Sequence, residues 1–289
     1  MSWLTDGISE WLKQLFVDSI MASFASMFSE VNNQVQDIAV QVGTTPAGWN
    51  AGVFTMIKTL SETVVLPIAG MILTFVLCYE LIQLIIEKNN LTDFDTFNIF
   101  KWIFKTFIAV FILTNTFNIV MSVFDVAQHV VNSSAGLISG NLALGNAAMM
   151  NEIRLNLEAM GIGELLGLFF EVQVVRLGML IMSLVIMIIV WGRMIEIYLV
   201  VSVAPIPLST MVNREWGQMG NNYLKSLFAL AFQGFLIMVC VAIYAVLVGG
   251  IATSDNMHIV IWSIAGMTAL LCFILLKTGG IAKSVFSAH

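Results

Sequence analysis

Charge is what this chain has least of. Only 10% of its 289 residues are Asp, Glu, Lys or Arg, while 59% are hydrophobic. A soluble domain carries about 25% charged and about 45–50% apolar residues. At a mean hydropathy of +0.93 the polar side chains cannot cover a water-facing surface. That excludes a conventional cytosolic enzyme, and it excludes a disordered chain, which needs low hydrophobicity and high net charge. Basic residues are the scarcer sign, 12 Lys and Arg against 18 Asp and Glu, for a net charge of −6. No broad electropositive face is available to grip a phosphate backbone.

Reactive side chains are equally sparse. Cys78, Cys240 and Cys272 each lie inside an apolar run without C-x-x-C spacing, so they read as small buried apolar groups rather than a disulfide framework. His129, His258 and His289 are far apart and lack an H-E-x-x-H partner, so no metal site is expected. There is no P-loop and no G-x-S-x-G elbow, and no Ser/His pair falls close together within one span. No catalytic residue and no cofactor is expected. The first eight residues have neither a basic n-region nor a continuous apolar h-region, so the first long apolar run is expected to act as an internal insertion signal.

What the sequence does have is long apolar runs. Residues 1–62 form the exception, an amphipathic region with apolar side chains at Leu4, Ile8, Trp11, Leu15, Ile20, Phe24 and onward at helical spacing. This stretch is too polar to span, and is expected either on the membrane surface or packed against partner helices. Thr45-Pro46 and Gly48 break it, and a short helical pattern follows from Val53 to Glu62. The transmembrane domain is expected over 63–276, with spans at about 63–86, 102–124, 172–198, 224–248 and 259–276. The first is 24 residues, or roughly 36 Å of helix, enough to cross a hydrocarbon core. An outer loop is expected at 125–171, an embedded or interfacial segment at 199–213 where Pro205 and Pro207 stop regular helix, and a polar tail at 277–289.

Two topologies compete, six spans if 194–212 crosses and five if it does not. In the five-span arrangement Lys88, Lys101, Lys105, Arg193, Arg214, Lys225, Lys277 and Lys283 share one side, and the other four basic residues lie opposite. The positive-inside bias then sets the N-terminus outside and the C-terminus in the cytoplasm. The fold class is therefore all-α, a polytopic membrane protein with about five transmembrane helices. It adds an amphipathic N-terminal helix and a membrane-embedded broken helix.

Six residues stand out as structural or gating candidates: Pro67, Glu80, Arg193, Glu196, Pro205 and Pro207. Arg193 and Glu196 are three apart and share a helix face. They are either an interfacial, snorkelled pair or a polar lock between helices. Glu80 sits near the end of the first span and invites an interhelical partner such as Arg193. The spacings Gly136-x-x-x-Gly140 and Gly163-x-x-x-Gly167 offer points of close helix approach.

The order of these features carries a family resemblance. Thr45-Pro46, Trp49-Asn50, the Ser61–Gly70 segment, Tyr79-Glu80-Leu81-Ile82, Arg193-Met-Ile-Glu196 and Ala204-Pro-Ile-Pro-Leu208 together resemble the TrbL-like polytopic membrane proteins of Gram-positive conjugation machines. Those are counterparts of the multi-spanning inner-membrane channel subunit of type IV secretion systems. The resemblance implies a non-enzymatic channel or scaffold subunit in a bacterial cell membrane. It implies a homo-oligomer working with other type IV secretion subunits: a membrane scaffold, stalk or pilus-like proteins, and separate ATPases. The acidic outer regions, from Asp6 to Glu62 and from Asp125 to Glu171, would repel a passing strand, so translocating DNA is bound at most weakly. A stand-alone secondary transporter is the alternative, but it would show repeats or broken helices in both halves, and one broken segment is visible.

Overall fold

The computed structural model describes residues 2–87, 96–138, 145, 147–251 and 256–288. Lys88 and most of the polar connection after the first span, together with Gly140, Asp255 and His289, lie outside the described residues. Among those described, the chain is helical almost throughout and has no strand. Five helical stretches are long and apolar enough to cross a membrane: Ala51–Ile86, Phe97–Thr114, Ile162–Ser202, Gly217–Gly250 and Met257–Val285.

The amphipathic N-terminal pattern is one helix, α1 (Ser2–Val42). Thr45 then caps α2 (Pro46–Trp49) by accepting from Gly48 N, and Asn50 caps α3 (Ala51–Leu60) by accepting from Val53 N at 3.0 Å. Between α3 and α4 (Leu66–Glu87) the helix widens into a single π-helical turn, Ser61–Val65. Pro67 explains the place. A proline within a helix has no N–H to give and pushes its ring against the carbonyl one turn back. The wider turn, in which Leu66 N reaches Ser61 O, takes up that misfit without ending the helix.

The second span stops earlier than its apolar pattern does. Helix α5 (Thr96–Thr114) breaks at Asn115 before α6 (Thr116–Ile138). The side chains of Thr114, Asn115 and Thr116 all bond backward to carbonyls of the preceding turn, at 2.9–3.0 Å. That competition with the helix ladder bends and interrupts it. Most of the described residues of 125–171 are helical too: α6 runs on to Ile138, α7 covers Ala147–Ala159, and α8 (Ile162–Ser202) starts well before the apolar run. Glu164 caps α8 by accepting from Gly161 N at 3.1 Å. The polar composition there masks small buried faces, Ile153 and Leu157 on α7 and Leu165 and Leu168 on α8. The remaining helices are α9 (Pro205–Thr210), α10 (Gly217–Ile251) and α11 (Met257–Val285).

Packing divides the chain into two compact units, each assembled from three sequence segments. Unit 1 comprises Met1–Gly43, Val131–Trp191 and Phe235–Thr278. One face of α1 (Ile20, Phe24, Met27, Phe28, Val31, Val35) is buried in the same core as Leu168 and Met179 of α8, Ile237 of α10 and Ile261 of α11. Tyr244 and Thr268 share a buried hydroxyl hydrogen bond of 2.8 Å between α10 and α11. His258 of α11 meets Glu171 of α8 at 2.8 Å. Unit 2 comprises Thr44–Val130, Gly192–Gly234 and Gly279–His289. One of its cores joins Ile57, Phe117, Val120, Phe124, Ile197, Val201 and Leu227. A second joins Ala69, Leu73 and Leu77 of α4 to Ala109 and Leu113 of α5, with Ile206 and Val212 packed on it.

Outside these cores, α4 and α5 expose broad apolar faces. Phe100, Phe104, Phe107 and Phe111 of α5 are exposed, as are Met71, Phe75, Ile82 and Ile86 of α4. Such faces suit hydrocarbon rather than water. Cys78 is also exposed on α4, whereas its apolar setting in the sequence pointed to burial. Cys272 is buried. At Gly163 and Gly167 an added Cβ would meet nothing within 4 Å, so this pair makes no close helix approach.

Candidate functional site

The sequence candidates gather around the segment that joins α8 to α10 in unit 2. Helix α8 ends at Ser202, three residues before Pro205, and α9 restarts the helix for barely two turns. Every proline and hydroxyl of α9 is buried: Pro205, Pro207, Ser209 and Thr210. Buried irregular backbone must find partners for its polar groups, and several of them are found locally. Ala204 N donates to Val201 O and Ile206 N to Val203 O, while the hydroxyls of Ser209 and Thr210 donate to the carbonyls of Ile206 and Pro207 at 2.6 and 2.8 Å. Asn213, 2% exposed, then folds the turn by accepting from Glu215 N and Trp216 N at 2.8 and 3.1 Å.

This turn is held from α4. Tyr79 Oη and Gln83 Nε2 donate to the Glu215 carboxylate at 3.2 and 3.1 Å. The Trp216 ring stacks on Phe75 and on Tyr79, with centroids 5.5 and 5.6 Å apart. Gly220 closes the join. A Cβ there would lie on the Met211 side chain and 2.6 Å from the Pro207 carbonyl oxygen, so only glycine lets α10 approach α9 this closely.

The ionisable candidates separate. Glu80 is ion-paired with Lys105 of α5, which ties the first two spans together; Arg193 is not the partner found. Glu196 reaches Lys283 of α11 at 3.8 Å, with both side chains about half exposed. Arg193 is 7% exposed, and its Nε has no hydrogen-bond partner. Glu196, one turn on, acts on it electrostatically but makes no ion pair with it. A buried cation so thinly compensated is costly, and such groups in membrane helices are usually functional. Tyr198, on the same stretch of α8, donates to Pro46 O at 2.5 Å and packs on Trp49, so the Thr45-Pro46 break docks here as well.

The site is thus two proline devices joined by α4. Pro67 follows the π-helical turn at its start, Ile206 of α9 packs on its Ala69–Leu77 face, and Glu215 and Trp216 meet Phe75, Tyr79 and Gln83. Glu215, Trp216, Tyr79, Gln83, Lys105 and Lys283 were not among the sequence candidates. The spacing Phe75, Tyr79, Gln83 is one helical stripe and was the available signal. Their partners 132 and 136 residues away left none. Among the described residues, no group of three His, Cys, Asp or Glu is placed to hold a metal ion.

Comparison with known proteins places this architecture. Residues 31–205 match the family model described as TrbL/VirB6 plasmid conjugal transfer like protein, a match that takes in more than half of the chain and five of the six candidate residues, all but Pro207. No curated protein and no solved structure matches the chain. The chain belongs to the TrbL/VirB6 plasmid conjugal transfer-like family, a family of conjugal-transfer and type IV secretion components.

Proposed function

We propose that this protein is a channel or scaffold subunit of a conjugative type IV secretion system, supporting passage of DNA and protein across the cell membrane. The observation that carries this reading is the α4–α9–Glu215 assembly. It is a buried broken-helix segment, hydrogen-bonded within itself and held by helices apolar enough to span, in a chain of a conjugal-transfer family. Irregular backbone at membrane depth is tolerated where protein buries it or where it borders an aqueous cavity. The working form is a homo-oligomer with the N-terminus outside and the C-terminus in the cytoplasm. Other secretion subunits dock on its acidic outer regions, and separate ATPases supply the energy. The chain performs no chemistry of its own. Pro67, Pro205 and Pro207 set the bends, the Glu80–Lys105 pair locks two spans, and Arg193 is the group whose poor compensation marks a second state.

Deletion of the coding sequence, with complementation from a second copy, tests this directly in a mating assay. Transfer should fall to background and return on complementation. Normal transfer without the protein would overturn the proposal, and uptake of a small solute by the purified protein alone in liposomes would favour a transporter instead.

A further inference from the structure

Within unit 1, α1, α8 and α11 run in the same direction, and their cross-contacts fix relative heights. Between α1 and α8, Phe16 meets Phe169 with ring centroids 5.8 Å apart, Gln173 donates to Ser23 at 3.3 Å, and Ser183 donates to Glu30 at 2.9 Å. Between α11 and α8, His258 meets Glu171, and the Cys272 thiol lies 3.6 Å from the Met182 carbonyl oxygen. Counting on from Cys272 and Met182 at one rise per residue sets Lys277 of α11 level with Met187 of α8. Met187 in turn borders a groove of about 260 Å³ that α8 shares with Gln34 and Asp37 of α1. Asp37 and Lys277 therefore stand at one height along the helices.

Two observations say what the groove receives. Gln34 is 5% exposed and turns its Nε2 to Glu30 at 3.5 Å, which leaves its Oε1 without a partner in the protein. Ser183, on the opposite wall, also gives its proton to Glu30. These two side chains thus offer the groove acceptors, and a buried acceptor calls for a donor. Asp37 is the second observation. It lines the groove beside a stretch of α8, from Leu177 to Gly192, that carries no charge, and it makes no ion pair among the described residues. A lone carboxylate beside a membrane-spanning helix is costly until a cation meets it. The rest of the mouth is apolar, with Leu184, Met187 and Trp191 exposed.

Helix α11 carries the complement. Leu270, Phe273, Ile274 and Lys277 follow one another at three and four residues and are all exposed, an apolar stripe that ends in one ammonium. Lys277, like Asp37, has no ion pair among the described residues. The two do not meet within one chain. Rotation about an axis along the helices keeps every height unchanged, so a neighbouring copy brings its Lys277 to the level of Asp37.

We propose that the groove of one copy receives the Leu270–Lys277 stripe of the next, with Lys277 paired to Asp37 and within reach of Gln34 Oε1. The contact joins two different patches, so it is heterologous and closes into a ring when the rotation allows. It rests on the reading of the working form as a homo-oligomer and names the surfaces that build it.

Charge exchange tests the pair in the full-length protein purified from membranes. Asp37→Lys and Lys277→Asp should each weaken self-association at least about tenfold, because like charges then face each other across the contact. The double variant should restore it, which rescues the interface from any effect of either change on folding. In a background lacking Cys78, Cys240 and Cys272, a copy with Asp37→Cys and a differently tagged copy with Lys277→Cys should be joined by a short bis-maleimide in membranes. The control partner is Arg176→Cys, eleven residues and roughly 16 Å from the level of Met187. Self-association unchanged in both single variants, or cross-linking no greater than the control, would overturn this interface while leaving the homo-oligomer standing. A protein that is monomeric in its membrane would sink the homo-oligomer itself.

Discussion

Gly220 is where the buried connection has least room. Adding one methyl there sets a carbon against the Pro207 carbonyl, which is fixed by its own ring and by the Thr210 hydroxyl. Gly220→Ala should lower stability in detergent by about 1–3 kcal/mol, the usual range for overpacking, read as a lower thermal midpoint. Lys105→Ala should do less harm, about 0.2–1 kcal/mol, because the Glu80–Lys105 pair it breaks is partly exposed on both sides. Adding Glu80→Gln to it should recover part of the loss. If the single variant melts like the parent, the pair does not lock the spans. Arg193 is argued the other way. Its Nε is unpaired in the protein interior, so Arg193→Met should hold or raise the midpoint, because replacing a poorly compensated buried ion by an apolar side chain is often neutral or stabilising. The same variant should lower mating. Full transfer with unchanged stability would remove Arg193 from the gating candidates.

Among the elements, those read best from sequence are the ones whose period is strong and whose neighbours are local. The N-terminal helix was legible from its apolar spacing, and the proline pair announced α9. The break at Asn115 was not, because three polar side chains bonding back to their own helix leave the apolar pattern intact around them. The extension of α6 and the early start of α8 within 125–171 were missed for the opposite reason: Gly, Ala and Asn look like loop, and only a few residues such as Leu165 and Leu168 reveal a packed face. The α4 stripe of Phe75, Tyr79 and Gln83 had visible spacing, but nothing local says that it receives Glu215 and Trp216. One consequence belongs to α4 as an element. If its exposed apolar face meets lipid, native Cys78 on that helix should react with a lipid-soluble maleimide and resist a charged reagent in membranes, as mass spectrometry of the modified protein can show. Rapid reaction with the charged reagent would put this face in water.

For the whole molecule, scarcity of charge turns into arrangement. Five helical stretches are long and apolar enough to cross, and a six-residue α9 occupies the end of the 194–212 segment that a sixth span would need. With five crossings and the proposed orientation, the Arg214 turn and the C-terminal tail would share the cytoplasmic side. Arg214→Cys and Ser287→Cys should then both be shielded from an impermeant thiol reagent added outside, while Glu10→Cys on α1 is modified. Labelling of only one of the first two would require a sixth crossing. The measurement that bears most directly on the protein's role traps DNA in the act. Donor cells are treated briefly with formaldehyde during mating, and the epitope-tagged protein is recovered and assayed for the plasmid strand under transfer. A subunit of the transfer path should bring down that strand above an untransferred control plasmid, and the signal should vanish when the machine's ATPases are inactivated. Recovery no greater than the control, in cells that are transferring normally, would contradict the account.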